Sequence, residues 1–371
     1  MNNKLHIVSF DVPYPPNYGG AIDVFFKLKA LYTLGIKIHF HTFEYGRGEQ
    51  EELNKYCETV TYYSRNSFIK SFFSTDPFVV KSRANEDLIL HLNKDNYPIL
   101  FEGLHTTLPV MTKRLRKRKV FVRAHNIEHD FYKGLAESES SIFKRNFFKQ
   151  EAKKLKKYEK ILKKMDGVFT ISPFEQAYFQ KKYGDKCQYI PAFHDHETHT
   201  TREYDSKNIL YHGNLLVSEN VKAALYLISI YKESPYNFII ASNHNNTTVS
   251  AEIKKHSNIS FYPLKRPEDL MQLFENSHIN VLATFQKTGI KLKLLNTLYQ
   301  GKFIIANDFM VEDTGLEFLC ERANTKEEFL AKTKEVLEKE FTSKIIQDRL
   351  DILKSISPQK GAQKMVDTIF N

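Results

Sequence analysis

Neither a membrane anchor nor a disulfide scaffold is written into this chain. No hydrophobic run approaches the ~20 residues that cross a bilayer, which excludes an integral helical membrane protein. Cysteine is scarce: Cys57, Cys187 and Cys320 are odd in number and far apart, so they build no disulfide framework and show no zinc-type spacing. The opening MNNKLHIVSF passes almost at once into a strand-like run. It lacks the charged start, long apolar stretch and small-residue cleavage site of a secretory signal, and a cytoplasmic location is expected. Short internal repeats are absent, as is low-complexity sequence apart from one lysine-rich helix. Acidic residues are in deficit, 44 against 54 Lys and Arg, for a formal charge of +10. That balance points to an anionic partner: nucleic acid, an acidic membrane surface or a phosphorylated small molecule.

What is present is a regular alternation. At 371 residues the chain is long for one core and suits two domains. Short apolar strands are predicted in KLHIVSF, IKIHFHTF, PILFEG, KVFVRAH and GVFTIS, and again in NILYHG, NFIIAS, NISFYP, INVLAT and KFIIAN. Helical patterns separate most of them, the order expected of α/β domains with doubly wound parallel sheets. Between the first two strands, Ala21, Val24, Phe25, Leu28, Leu31 and Tyr32 fall on one helical face before Gly35 stops the helix. The pattern lapses into polar sequence near Tyr189–Lys207. The division is therefore a first domain over 1–190, a linker over 191–207, a second domain over 208–355, and a helical tail over 356–371 that crosses back to the first domain.

Three stretches carry chemistry. In PYPPNYGGAIDVFF, Gly19 and Gly20 stand where a helix begins, so backbone N–H groups can approach a phosphate or sugar closely, although a tight turn alone would use the same residues. In FQKTGIKLKLLNTLYQGKFIIAND, Lys287, Lys291 and Lys293 crowd a helix start, where cations are unfavourable unless an anion neutralises them. In VFVRAHNIEHDFY, a strand ends in Arg123, His125, Asn126, Glu128 and His129, with Glu102 at the matching end of ILFEG. Ligands of open α/β sheets bind beyond such carboxyl ends.

Read in order, the Gly-Gly turn, EGLH, RAHNIEHDFY, KKYEKILKKMDGVFTISPFE, LYHGNLLVSENVKAALYLI and TGIKLKLLNTLYQGKFIIAND resemble the retaining GT-B glycosyltransferases. They are most similar to bacterial sugar transferases of glycosyltransferase family 4, over nearly the whole chain. The resemblance implies two Rossmann-like domains facing a cleft, the acceptor in the first and a nucleotide-diphosphate sugar in the second, with transfer to a saccharide or lipid-linked acceptor during surface polysaccharide or glycoconjugate synthesis. It implies a catalytic set of His125, Lys287 and Lys291. Gly19 and Gly20 would lie near the donor diphosphate or sugar, Gly213 and Asn214 would start the nucleotide loop, and Thr288, Gly289 and Ile290 would meet the diphosphate. Glu102, Asn126 and Glu128 would stand on the acceptor side. Fixed N–H groups and lysines suffice to stabilise a departing diphosphate, so neither a cofactor nor a metal is expected.

The chain also departs from that pattern. Asn296 stands where relatives carry a ribose-gripping glutamate, exchanging a charge-assisted hydrogen bond for a neutral one. An arginine common after the glycine of YHGN is missing too. An alternative reading is therefore a non-catalytic GT-B relative acting as a sugar-binding or partner subunit. The stretch over 141–165 contains ten Lys or Arg against two Glu, with aromatics interleaved; it suits an anionic membrane surface, joined by KRLRKRK, or the solvated face of a core helix. No nucleic acid is expected, because the basic residues form no recognisable DNA or RNA module. His194, Asp195, His196, Glu197 and His199 in FHDHETH are metal-capable but have no second cluster to complete a shell.

Overall fold

The computed structural model describes residues 3–67, 71, 74–139, 141–196, 206–286 and 291–371. Its chain forms two lobes, each built on one wholly parallel sheet. In the first, β1 (Lys4–Ser9), β2 (Lys37–Glu44), β3 (Thr59–Ser64), β4 (Ile99–Glu102), β5 (Val120–Ala124), β6 (Gly167–Thr170) and β7 (Cys187–Tyr189) lie in the order β3-β2-β1-β4-β5-β6-β7. In the second, β8 (Ile209–His212), β9 (Phe238–Ser242), β10 (Ile259–Pro263), β11 (Ile279–Leu282), β12 (Phe303–Ala306) and β13 (Glu321–Arg322) lie in the order β10-β9-β8-β11-β12-β13. The strand order reverses once in each lobe, where β1 meets β4 and β8 meets β11. Those two reversals are the switch points at which doubly wound sheets open a crevice.

The central strands are apolar on both faces because helices cover both. Leu5, Ile7, Leu100 and Phe121 face one layer, with Val24, Leu28 and Leu31 of the helix Gly19–Thr33; Val8, Phe101, Val122 and Val168 face the other. Each such side chain contributes about 1.5–3 kcal/mol when fully buried. Of the face expected on Gly19–Thr33, Tyr32 is the exception: it is 54% exposed, while Ala21, Val24, Phe25, Leu28 and Leu31 are buried. Strands β3, β7 and β13 go beyond the ten that the apolar runs predict. All three border a sheet edge, where one side needs no continuous apolar run.

The lobes are joined more tightly than a polar linker suggests. Ile190 and Phe193 are buried in the first-lobe core, and Ala192 packs with Leu294, Leu295 and Leu298 of the second lobe. After the helix Ser343–Leu353, the final helix Pro358–Phe370 returns to the first lobe and lies on Gly19–Thr33, with Ala362, Met365 and Ile369 in that core.

Candidate functional site

The two switch points face each other across a cleft of about 550 Å³. Phe10, Tyr18, Gly19, Gly20, His125 and Glu128 line it from the first lobe, and Asn220, Thr284, Gln286, Lys291 and Lys293 from the second. Its composition follows from topology: these first-lobe residues come after β1 and β5, and these second-lobe residues after β8 and β11.

On the first-lobe wall, Gly20 is bare for a reason in the protein itself. A Cβ there would stand 2.6 Å from Phe10 Cζ and 3.2 Å from the Tyr18 ring, so the glycine lets the helix start close against these two rings. Behind this wall lies a buried network that the sequence reading only touched. Asp23 accepts from Arg123 (Nη2 at 2.9 Å, Nε at 3.2 Å), from Lys27 Nζ at 3.0 Å and from the Phe193 amide at 2.9 Å. Lys27 also donates to Glu102 at 2.9 Å, and His125 Nε2 lies 2.9 Å from the same carboxylate. Burial alone would raise the pKa of Asp23, but Arg123 and Lys27 overcome it and hold the carboxyl well below its usual range. Glu102 behaves likewise, with Lys27 and His125 opposing its burial.

This network corrects one expectation. Glu102 is fully buried and does not line the cleft; it holds Lys27 and orients His125 instead of meeting an acceptor. Asp23, Glu102 and His125 have the mutual spacing of metal ligands. The Lys27 ammonium, 2.8–3.0 Å from both carboxylates, already supplies the positive charge between them.

Asn126 and Glu128 do line the cleft. Glu128 is buried, one of its oxygens has no hydrogen-bond partner, and among the described residues the nearest cation-capable group is His105 Nδ1 at 3.9 Å. Burial pushes its carboxyl up to about 7, with a hydrogen bond from Asn126 and the charge of Arg83 opposing. A raised carboxyl pKa means that the folded state binds the extra proton, so stability falls as pH rises from 4.5 to about 7 and is level above. In Glu128→Gln the difference in melting temperature from wild type should therefore widen across that window and stay constant at pH 8. A gap independent of pH would contradict the assignment.

The second-lobe wall is cationic. The helix Leu292–Gln300 begins at the cleft with Lys291 as its N-cap. Lys291 Nζ donates to the Gln286 carbonyl at 2.7 Å. Lys293 Nζ donates to Asn220 Oδ1 at 2.9 Å and sits 4.7 Å from the centroid of the Tyr211 ring. Among the described residues neither ammonium has a carboxylate within ion-pair distance. Burial pulls both down to about 8, against the more distant charge of Glu219 and, for Lys291, Glu175. Gly213 makes room for this arrangement, since a Cβ there would stand 2.9 Å from Lys293 Nζ. Neither Gly213 nor Asn214 lines the cleft: Asn214 Oδ1 accepts from the Leu216 amide and its carbonyl accepts from Asn220 Nδ2. The pair shapes the turn that presents Asn220. Asn296 lies half-buried farther along the lysine helix and is also outside the cleft lining. Lys287, Thr288, Gly289 and Ile290 fall outside the described residues.

Sequence reading missed Asp23 and Lys27, whose signal was available: two opposite charges four residues apart on an otherwise buried helical face. It also missed Glu219, which accepts from Thr284 Oγ1 at 3.0 Å and, at 3.4 Å, from Ser138 Oγ of the opposite lobe. That bridge joins residues 81 positions apart and leaves no local trace.

No family model matches the chain. A curated relative, an uncharacterized 44.6 kDa protein in the cps region of Klebsiella pneumoniae, is 26% identical over 341 residues, covering 84% of each chain. Among solved structures, a glycosyltransferase from Rickettsia africae matches with a TM-score of 0.66 and 13% identity, over 100% of this chain and 98% of its own. The lipopolysaccharide outer core galactosyltransferase WaaB, in its apo form, matches at 0.65 and 15%, over 99% of each. S. aureus TarM, in a complex that includes UDP, matches at 0.64 and 12%, over 100% of each. With its two facing doubly wound sheets, the chain has the fold of the GT-B glycosyltransferases.

Proposed function

We propose that the protein is a glycosyltransferase that moves a sugar from a nucleotide-diphosphate donor, held by the second lobe, to a saccharide or lipid-linked acceptor at the first. One observation carries this reading: two half-buried lysines, with no carboxylate in ion-pair distance among the described residues, line the cleft at the second lobe's switch point. Breaking a glycosyl–phosphate bond loads charge onto the departing diphosphate, and fixed cations in a water-poor cleft stabilise it. With two ammonium groups in that role the reaction needs no metal. Glu128 is the single acidic residue among the described cleft lining, so the paired carboxylates of a glycosidase are absent there. The departing phosphate then takes the proton of the incoming hydroxyl on the same face, and the anomeric configuration is retained. The cps-region relative supports a place in surface polysaccharide synthesis. The test is a thermal-shift screen of nucleotides and nucleotide sugars; a ligand at a hundred times its dissociation constant adds ~2.7 kcal/mol. A protein that binds none of them is the non-catalytic relative instead.

The acceptor reading extends to the surface of 141–165. In the helix Ile142–Tyr158 and the turn Glu159–Lys164, Lys153, Lys156, Lys160 and Lys163 border an open groove, and Ile142 and Phe143 are 72% and 69% exposed beside the helix start. Among the described residues no helix is long and apolar enough to cross a membrane. We propose that this face docks on an anionic membrane, its lysines at the headgroups and its exposed apolar pair in the acyl boundary. The chain should co-sediment with vesicles of equal phosphatidylcholine and phosphatidylglycerol but not with phosphatidylcholine alone, and Lys156→Glu with Lys160→Glu should release it. Equal binding to both vesicles would overturn the proposal.

A further inference from the structure

A second group of cations stands at the rim of the first lobe, apart from the two lysines. Arg47 and Arg65 follow the carboxyl ends of β2 and β3, and Arg83 lies just beyond the short helix Phe78–Lys81. Arg83 and Arg47 adjoin the cleft wall. Arg83 Nε donates to the Phe10 carbonyl at 2.8 Å, and the Arg47 guanidinium lies 5.3 Å from the centroid of the Tyr18 ring. Arg65 donates to Ser82 Oγ at 3.2 Å, next to Arg83, and lies 4.3 Å from the centroid of the Tyr45 ring.

The protein satisfies these guanidinium groups only in part: Arg47 donates to Asn17 Oδ1 at 3.0 Å and to the Pro15 carbonyl, and Arg83 also donates to the Val79 carbonyl at 2.7 Å. Among the described residues none has a carboxylate within ion-pair distance. Nε of Arg47 and Nε of Arg65 are buried without a hydrogen-bond partner. The carboxylates nearby are engaged elsewhere: Asp11 Oδ2 accepts from the Tyr18 hydroxyl at 2.8 Å, and Glu44 Oε1 accepts from the amides of Gly46 and Gly48. Arg65 adds its repulsion to the burial that depresses Arg83. Three neighbouring cations, two of them with an unmet donor, are an unfavourable arrangement for the protein alone, and the planar fork of arginine matches a carboxylate or phosphate. A ligand that brings the negative charge satisfies the donors and relieves the repulsion.

We propose that this rim is a subsite for an anionic sugar, one carrying a carboxylate or a phosphate, and that it selects such a group on the acceptor. Its role as acceptor subsite rests on the glycosyltransferase reading; its preference for an anion does not. The full chain is titrated by calorimetry with D-glucuronic acid, glucose 6-phosphate and D-glucose, and separately with UDP. Either or both charged sugars should bind and glucose should not, the stronger of the two naming the anion. Arg65→Gln, a half-buried position whose fold is checked by circular dichroism, and Arg47→Gln should each weaken that binding about tenfold or more, with UDP binding unchanged. The proposal is overturned if glucose binds as well as the charged sugars, if neither variant has an effect, or if UDP binds and no charged sugar does. Charged sugars that bind as expected to a protein that ignores UDP and every nucleotide sugar would leave the anion subsite standing and remove the glycosyltransferase reading.

Discussion

Replacing Lys293 by methionine is expected to weaken nucleotide-diphosphate binding about tenfold to a hundredfold while leaving the melting temperature unchanged or raised. Both halves of that result follow from one geometry. The lysine is half-buried, and its protein contacts are an amide oxygen, a phenol oxygen and an aromatic ring, none of them charged. An uncompensated buried cation destabilises the fold that holds it. Methionine keeps the length of the stem and removes the charge, and Tyr211 retains its own hydrogen bond to the Asn220 carbonyl at 3.1 Å. The bound diphosphate, in contrast, loses a charge-assisted partner, about 1.5–3 kcal/mol.

The pH dependence follows from the same lysines. Burial pulls both down to about 8, so binding should be strongest below pH 8 and fall as the ammonium groups deprotonate above it, with protons taken up on binding near pH 8. Calorimetry in buffers of different ionisation enthalpy measures that uptake. A methionine variant that binds UDP or nucleotide sugars as tightly as wild type would show that the anion lies elsewhere.

The second large effect is on stability. Asp23→Ala should cost about 3–5 kcal/mol, read as early unfolding of the first lobe in urea. Removing the carboxylate leaves Arg123 with three backbone carbonyls, those of Thr170, Ile190 and Pro191, but no charge partner. It also strips the Phe193 amide of its acceptor. Lys27 would keep Glu102 but lose the other of its two carboxylate partners. Because the folded pKa of Asp23 is depressed, its contribution is present above about pH 3.8 and is lost as pH falls below that value. That part of the acid unfolding curve should be missing in the variant. The exposed pair Lys55–Glu52 is the control, and Lys55→Ala should leave the unfolding curve in place.

Some of the site was legible before any coordinates. Lys291, Asn126, Glu128 and His125 stand after strands whose apolar runs are unmistakable, and position after a strand is enough to bring a residue toward a switch point. Glu102 shows the limit of that rule: it too ends a strand, yet it faces inward, because Lys27 from the next layer supplies a buried partner that no local pattern announces. Gly213 and Asn214, expected to start the nucleotide loop, seat Lys293 and Asn220 in the turn after β8. Tyr32 lies at the margin of a helical face, where periodicity does not separate buried from exposed. Three of the four edge strands, β3, β7 and β13, were missed because an edge needs only half the apolar pattern.

Two α/β lobes, most of their strands and the excess of positive charge follow from the sequence alone, since periodicity and composition are local and survive without partners. Tertiary structure alone decided that the cleft stays open between Lys293 and Phe10, that Asp23, Lys27, Glu102 and Arg123 neutralise one another, and that three arginines share one rim. Those outcomes depend on which charges meet across lobes and layers, on distances between residues 100 or more positions apart, and on how much water reaches them.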